Sequence, residues 1–250
     1  MELKFKVVLD EPDLLRDSIG AVSNLINEGV FKLDKDGIEL KSMDSANVAM
    51  VDLKLLASAF RSFEVKNEVK FGVNIIDFAS VLKRAKPIES ISLELKGNSL
   101  GIEFSGDVKR VFNMPLLDLN LGGKSPSLNF PVSIELKTSI IEDGINDAEI
   151  ISDAITLEAD PDSFIMKTEG ENRKAELKLE KGHNALIDLK AKDHIKSTFP
   201  LDYLKKMIKG SKISDTVILQ LGNDYPLRLD FKIVDKLQLG FVLAPRIESE

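Results

Sequence analysis

The sequence predicts an α+β protein made of two similar tandem domains, each built from two strand–helix–three-strand units. Two observations lead to this class. Four segments place apolar residues at helical spacing, and each is preceded by one short strand pattern and followed by three. The second half of the chain then repeats the order of the first half. We expect the first domain at residues 1–117, a connector at residues 118–131 and the second domain at residues 132–250.

The first unit begins with a strand at residues 4–9 and continues with an amphipathic helix at residues 11–26. Asp10 and Pro12 are helix start signals. The turn at Asp36 and Gly37 predicts a hairpin between the first two strands after the helix. Together with a third strand, these strands are expected at residues 30–33, 37–42 and 47–53.

The second unit restarts the pattern at residue 68. A strand at residues 68–73 precedes a helix at residues 74–85, which has an apolar face. Gly97 and Asn98 predict the turn of a hairpin. Its two strands and the last strand of the first half are expected at residues 90–95, 100–104 and 108–114.

The third and fourth units follow the connector in the same order. In the third unit we expect a strand at residues 132–136, a helix at 138–151 and strands at 154–158, 163–168 and 173–179. In the fourth unit we expect a strand at residues 192–199, a helix at 200–209 and strands at 216–221, 227–233 and 238–243.

The two halves can be compared residue by residue. Residues 69–95 match residues 195–221 without a gap at an offset of 126, and residues 36–41 match residues 162–167 at the same offset. Phe78, for example, corresponds to Leu204. Similar apolar patterns can arise by chance, but one nearly constant offset over most of the chain favours two copies of one domain.

The segment from Pro115 to Pro131 joins the two halves. Its three prolines and the pair Gly122 and Gly123 exclude a long helix or a central strand, so an extended connector is predicted. A free tether would not need the apolar side chains that it carries, so we expect it to lie against the protein. These side chains are Leu116, Leu117, Leu119, Leu121, Leu128 and Phe130.

The composition is that of a globular protein. The 250 residues are 43% hydrophobic, which is enough for real cores, and no apolar run approaches the roughly 20 residues that span a bilayer. The amino terminus lacks the apolar core of a signal peptide, so we expect a cytosolic protein. The absence of cysteine excludes disulfides and thiolate nucleophiles. The net charge of −7 does not exclude nucleic acid, because one surface can be locally positive.

No motif in the sequence indicates an enzyme, a cofactor or a metal. Gly123, Lys124 and Ser125 resemble the end of a phosphate-binding loop, but Asp118 stands where that loop needs glycine and Pro126 where a helix should begin. His183 and His194 have no cysteine or helical partner and are interpreted as turn or surface residues. A pair of catalytic carboxylates remains open at this point, because such partners meet in space and not in sequence.

Two of the predicted helices end in a basic turn. The second helix carries Lys83, Arg84 and Lys86 at its carboxyl end, and the equivalent helix of the repeat carries Lys205, Lys206, Lys209 and Lys212. Lysines without interleaved aromatic residues suit contacts with phosphates. Compensation of the helix macrodipole is the alternative explanation. The helices near residues 10–26 and 135–151 are instead rich in carboxylates.

Several segments together resemble the DNA sliding clamps of archaea and eukaryotes, the proliferating cell nuclear antigen family, over essentially the whole chain. They include residues 25–28, 36–40, 43–45, 72–74, 116–119, 126–130 and 243–248. The resemblance implies the DNA-clamp fold and a closed ring of three subunits, with helices on the inner face around duplex DNA and sheets outside. In the connector, Gly122 to Ser125 are less apolar than in most relatives.

The resemblance also implies three sets of site residues. The DNA-facing set is Arg16, Lys83, Arg84, Lys86, Lys109, Lys205, Lys206, Lys209 and Lys212. The set that binds a partner peptide is Met43, Asn47, Val48, Met50, Leu128, Pro226, Ala244, Pro245, Arg246 and Ile247. Without the resemblance, Met43, Val48 and Met50 would be interpreted as core residues. The subunit-interface set is Lys109, Arg110, Val111, Phe112, Asn113 and Met114 against Lys174, Ala175, Glu176, Leu177, Lys178 and Leu179.

The implied function is that of a processivity factor and partner platform without catalytic activity. Expected partners are double-stranded DNA of any sequence, further copies of the chain, and DNA polymerase, clamp loader, flap endonuclease and ligase through short peptide motifs. A subunit of a heterotrimeric or checkpoint-type clamp, and an unrelated tandem-repeat scaffold that does not bind DNA, are the alternatives. The expected location is the cytoplasm, associated with the nucleoid, for an archaeal source and the nucleus for a eukaryotic one.

Overall fold

The computed structural model describes residues 3–119 and 127–246. Its contacts divide the chain into two compact units. Unit 1 comprises Met1–Ser45, Val51–Ser125 and Lys232–Leu239, and unit 2 comprises Ala46–Met50, Pro126–Phe231 and Gly240–Glu250. Each unit therefore includes a short segment from the other half of the sequence.

The first half of the chain contains nine strands and two helices among its described residues. In chain order they are β1 (Leu3–Leu9), α1 (Pro12–Val22), β2 (Glu28–Asp34), β3 (Gly37–Met43), β4 (Ala49–Leu56), β5 (Ser62–Val65), β6 (Val69–Asn74), α2 (Ile75–Leu82), β7 (Ser90–Lys96), β8 (Ser99–Ser105) and β9 (Arg110–Pro115). A short 3₁₀ helix at Ala57–Ala59 precedes β5.

The second half repeats this order. Its elements are β10 (Val132–Lys137), α3 (Thr138–Glu149), β11 (Ala154–Ala159), β12 (Ser163–Glu169), β13 (Lys174–Glu180), β14 (Leu186–Lys190), β15 (Ile195–Pro200), α4 (Leu201–Met207), β16 (Thr216–Leu221), β17 (Leu227–Ile233) and β18 (Leu237–Leu243). A 3₁₀ helix at Ile208–Lys212 continues α4. The predicted α+β class with four strand–helix–three-strand units is confirmed.

The strand order also repeats. In the first half, β5-β1-β7-β8-β9 form a sheet and β4-β3-β2-β6 are neighbours in that order, while the second half has the equivalent runs β14-β10-β16-β17-β18 and β13-β12-β11-β15. The registers agree, because Val7 lies opposite Leu93 in one half and Ile134 opposite Leu219 in the other. All four of these side chains are buried.

Two strands of the structure were missing from the sequence prediction. β5 lies in the chain between the first and second strand–helix–three-strand repeats, and β14 lies between the third and fourth. They pair with β1 and β10, respectively, at the edge of a sheet. β5 has only four residues, none of them fully buried, so it lacks the apolar alternation that reveals a strand.

Each helix covers a sheet with an apolar face and is shorter than its hydrophobic pattern suggested. α1 buries Leu15, Ile19 and Val22 but ends at Val22 and not at residue 26. Burial of each such side chain stabilises the fold by roughly 1.5–3 kcal/mol. α2 begins at Ile75, and the side-chain oxygen of its N-cap Asn74 accepts a hydrogen bond of 2.9 Å from the Asp77 amide. None of the described helices is long and apolar enough to cross a membrane.

The chain covers one edge strand in each half with the segment that follows the last strand. The Leu117 amide donates to the Gly72 carbonyl on β6 at 2.9 Å, and the Arg246 amide donates to the Thr198 carbonyl on β15 at 2.7 Å. Gly72 and Thr198 are related by the offset of 126. A Cβ at Gly72 would lie 2.5 Å from the Leu117 carbonyl oxygen, so glycine is needed for this close approach.

Candidate functional site

The basic turn at the end of α2 is exposed. Lys83 is the C-cap of the helix, and Arg84 and Lys86 follow it within the same loop. No carboxylate pairs with these three side chains in the part of the chain that the structure describes. The turn is therefore a local excess of positive charge that remains available to an anionic ligand.

The equivalent turn in unit 2 is partly neutralised by helix α3. The Lys205 ammonium forms an ion pair with Glu149, and the Ser211 hydroxyl donates to the Glu142 carboxylate at 2.6 Å. Lys206 lies 5.2 Å from the centre of the Tyr203 ring, a cation–π distance. Lys209 and Lys212 are exposed and have no carboxylate partner among residues 3–119 and 127–246.

Two other members of the predicted DNA-facing set are also paired with carboxylates. On α1, Arg16 lies 2.8 Å from Asp13 and 3.0 Å from Asp17. The hydrogen bond that the Arg16 guanidinium donates to the Asp17 carboxylate is the main reason why the pKa of Arg16 lies above its ordinary value. Lys109 lies 2.8 Å from Glu103. Arg16 and Lys109 thus bring little net positive charge, whereas the ends of α2 and of the 3₁₀ helix after α4 do.

Most residues of the predicted peptide site belong to unit 2, and the structure brings four of them together. Val48, Ala244, Pro245 and Arg246 line one groove of about 660 Å³, and the Ala244 amide donates to the Val48 carbonyl at 2.9 Å. The remaining residues of the groove were not predicted for the peptide site, and one of them, Lys205, was predicted to face DNA. They are Glu149, Ser152, Asp153, Pro200, Leu201, Asp202 and Lys205.

Arg246 is anchored at this groove from two sides. Its amide bonds to Thr198, and its guanidinium lies 2.7 Å from the Asp153 carboxylate. That hydrogen bond holds the pKa of Asp153 below its ordinary value. The ion pair joins residues 93 positions apart, and no sequence pattern indicates it.

The two methionines predicted for the peptide site differ in solvent exposure. Met43 is 40% exposed and Val48 is half-buried, whereas only 7% of Met50 is exposed. Met50 therefore fits the alternative interpretation as a core residue. Asn47 adopts a positive φ of 56°, a conformation that asparagine tolerates better than most residues. Ile247 lies outside the described residues.

The connector is held at both ends. At its start, Leu117 bonds to Gly72 in unit 1. At its end, the ring of Phe130 packs edge-on against Tyr225 of unit 2 with 5.6 Å between centres, and Leu128 and Pro226 lie half-buried nearby in sequence. The Asn129 amide donates to the Tyr225 hydroxyl at 3.4 Å. Tyr225 was not predicted as a site residue. The central residues Gly122 to Ser125 lie outside the described part of the chain.

The two predicted interface segments are edge strands. Among residues 3–119 and 127–246, β9 pairs with β8 alone and β13 with β12 alone. On β13 the charged side chains from Lys174 to Glu180 are exposed, while the alternate residue Leu177 is half-buried. On β9, Phe112 packs at 5.5 Å from Phe104. The sequence predicted Lys109 within this strand, but in the structure it lies in the turn before β9.

Among residues 3–119 and 127–246, no group of three or more His, Cys, Asp or Glu side chains could hold a metal ion.

Comparisons with known proteins cover the whole chain. The model of the proliferating cell nuclear antigen N-terminal domain matches residues 4–120, and that of the C-terminal domain matches residues 124–246. DNA polymerase sliding clamp 1 of Thermococcus kodakarensis is 38% identical, over 99% of this chain and 100% of the relative. The DNA polymerase sliding clamp of Pyrococcus furiosus is 34% identical over the same shares.

Two solved structures have closely similar folds. The crystal structure of proliferating cell nuclear antigen from Thermococcus kodakaraensis matches with a TM-score of 0.91 and 28% identity, over 97% of this chain and 100% of that chain. The protein of that name from Entamoeba histolytica gives the same TM-score of 0.91 at 22% identity, over 98% of this chain and 100% of that chain, a likeness of fold alone.

Proposed function

Because the chain belongs to the proliferating cell nuclear antigen family, we propose that it is a DNA sliding clamp, a processivity factor that encircles duplex DNA and tethers a replicative polymerase. The observation that carries the proposal is the match of both family domains, over residues 4–120 and 124–246. Relatives at 34–38% identity bear the name DNA polymerase sliding clamp and are covered along their entire length. The protein then acts by tethering and not by catalysis.

The free edges of β9 and β13 support assembly into a closed ring of three subunits. By the internal repeat, β18 corresponds to β9 and β4 corresponds to β13. The Ala244 amide after β18 already bonds to the Val48 carbonyl before β4. In the ring, the β9 edge of one copy would pair with the β13 edge of the next copy. The pairing would resemble that of the equivalent segments around Ala244 and Val48 within one chain. Such head-to-tail contacts form a ring when the rotation closes.

We expect light scattering after size-exclusion chromatography to give three times the 27.7 kDa mass of one chain. Leu177→Glu should return the mass of a single chain, because it places a charge on the half-buried edge position of β13. A wild-type protein with the mass of one chain would contradict the homotrimer. If it then assembled only with related chains, it would be a subunit of a heterotrimeric clamp.

The unpaired cations on α2 and beside α4 support weak, sequence-independent contacts with DNA phosphates. Lys83, Arg84, Lys86, Lys206, Lys209 and Lys212 are the residues assigned here to this role. A ring holds DNA by its topology, so its phosphate contacts can be few and short-lived, and the clamp can slide. Arg16, Lys109 and Lys205 contribute less, because each would first have to leave a carboxylate.

Replacement of a free lysine should weaken DNA binding more than replacement of a paired one. Fluorescence anisotropy of labelled duplex, measured as a function of salt, tests this. Lys209→Ala should lower the magnitude of the slope of log K against log salt by about 0.9, the loss of one phosphate contact, and Lys205→Ala by less. Lys190→Ala on β14 is the control, because Lys190 pairs with Asp188 at 2.7 Å. Equal effects of all three substitutions would contradict the assignment.

The groove beside Ala244 to Arg246 supports the binding of partner proteins through a short peptide with apolar side chains. Its walls combine Val48, Pro200, Leu201 and Pro245 with a charged rim, and the exposed Met43 is suited to a surface that accepts several partners. DNA polymerase, the clamp loader, flap endonuclease and ligase are the partners proposed for it. Leu128, Pro226, Asn47 and the connector end complete the proposed site, whereas Met50 is a buried core residue.

A partner peptide should bind the Pro245→Ala/Arg246→Ala variant at least about tenfold more weakly than the wild type, a loss of about 1.4 kcal/mol. The substitutions remove one wall of the groove and the anchor to Asp153. Isothermal titration calorimetry provides the measurement. Pro161→Ala/Arg173→Ala is a matched control, since it changes the same two residue types at exposed turns of unit 2. Equal affinity of the two double variants would refute the proposed site.

The domain division and the location follow from the same proposal. We divide the chain into clamp domains at residues 1–117 and 132–250 with the connector at 118–131, which agrees with the two anchors at Leu117 and Tyr225. The archaeal relatives favour a nucleoid-associated protein of the archaeal cytoplasm.

A further inference from the structure

Glu89 is a buried carboxylate in the loop between α2 and β7. Only 4% of the residue is exposed. Its Oε2 atom accepts hydrogen bonds from the Lys86 amide at 2.8 Å and from Arg110 Nη2 at 2.6 Å. The Lys86 amide, followed by Arg110, holds the pKa of Glu89 below its ordinary value. The two donors favour the ionised form of this carboxylate over the protonated one.

Arg110 links this carboxylate to two further elements. The same Nη2 atom donates to the Arg84 carbonyl at 2.9 Å, at the end of α2. The guanidinium also lies 5.1 Å from the centre of the Phe104 ring on β8. A cation at the carboxyl end of a helix interacts favourably with the helix dipole. Arg110 is the first residue of β9, so its side chain fastens the start of this strand to the end of α2.

The backbone leaves space for this arrangement. A Cβ at Gly106, in the turn between β8 and β9, would lie 2.9 Å from Cγ of Glu89. The Glu89 amide bonds to the Lys86 carbonyl at 3.0 Å, so residues 86–89 form a turn that is closed by both backbone and side chain.

The internal repeat shows that the linkage is specific to the first half. Asp215 is the equivalent of Glu89 at the offset of 126, and its side chain has no ion pair among the described residues. β18, the equivalent of β9, begins at Leu237 and not at an arginine. The Glu89–Arg110 pair is therefore present in the half whose last strand has a free edge, β9.

We propose that Glu89 is a positioning residue for subunit assembly. Through Arg110 it fixes the start of the β9 edge against the end of α2, so that the edge is already ordered when another copy meets it. An edge strand bonded on one side only is otherwise prone to local opening, and ordering it in advance lowers the entropic cost of association. This inference rests on the proposed function, because it requires β9 to be a subunit interface.

The test compares the dissociation constant of the trimer, measured by dilution with mass photometry, for wild type and four variants. Glu89→Gln, Arg110→Lys and the double variant should each raise the constant at least tenfold and by similar amounts, since each breaks the same linkage. Lysine keeps the charge but lacks the planar guanidinium that bonds to Glu89 and Arg84 while lying over the Phe104 ring. Glu94→Gln, a surface change on β7 beside Lys96, should leave the constant unchanged.

Two readouts separate a positioning role from a general loss of structure. Far-UV circular dichroism should be unchanged in all variants, and hydrogen exchange should accelerate selectively in residues 109–115. Additive effects of Glu89→Gln and Arg110→Lys, or a Glu89→Gln trimer as tight as wild type, would overturn the inference while the proposed function stands. A wild-type chain that forms no trimer would instead overturn the proposed function.

Discussion

Edge strands must satisfy their backbone hydrogen bonds, and this constraint accounts for much of the architecture. Each half of the chain covers one edge with its own following segment, Leu117 on β6 and Arg246 on β15. Within the described part of the chain, β9 and β13 are left with one neighbouring strand each. Because these edges lie in different halves of one repeated design, a second copy can offer β13 to the β9 of the first. The proposed head-to-tail ring would use that complementarity.

Charge is distributed so that the protein is acidic as a whole and basic in two places. The chain carries a net charge of −7. Helix α3 places Glu149 and Glu142 against the basic segment at residues 205–212, where they contact Lys205 and Ser211. The end of α2 and the 3₁₀ helix at Ile208–Lys212 keep unpaired cations among the described residues. Strong attraction to DNA would hinder sliding, whereas a ring needs only weak contacts. The pairing of Lys205 with Glu149 fits this requirement.

The repeat was the part of the structure that the sequence predicted best. Residues 69–95 and 195–221 match without a gap, and they form equivalent strands, helices and registers. β5 and β14 were not predicted, because their short segments carry weak alternation. The apolar pattern also extended α1 to residue 26, although the helix ends at Val22, after which the Ser23 and Asn24 side chains donate to the Gly20 carbonyl.

The candidate sites were predicted less completely for a physical reason. Arg246 with Asp153, Lys205 with Glu149 and Arg110 with Glu89 are contacts between side chains far apart in the chain. Only folding brings them together, so composition and spacing give no sign of them. The exposed and the buried methionines, Met43 and Met50, likewise became distinguishable only once their surroundings were known. The family resemblance indicated the region of the peptide site, and the structure showed the groove in that region.

The central claim is that the protein holds DNA by surrounding it. The most direct measurement is retention of the loaded protein on a closed circular duplex, followed by a single cut that makes the same duplex linear. A sliding clamp should remain on the circle in salt that abolishes ordinary phosphate contacts, and should leave within the time it needs to slide off the new ends. Equal retention on circular and linear DNA, or rapid loss from both, would contradict the account.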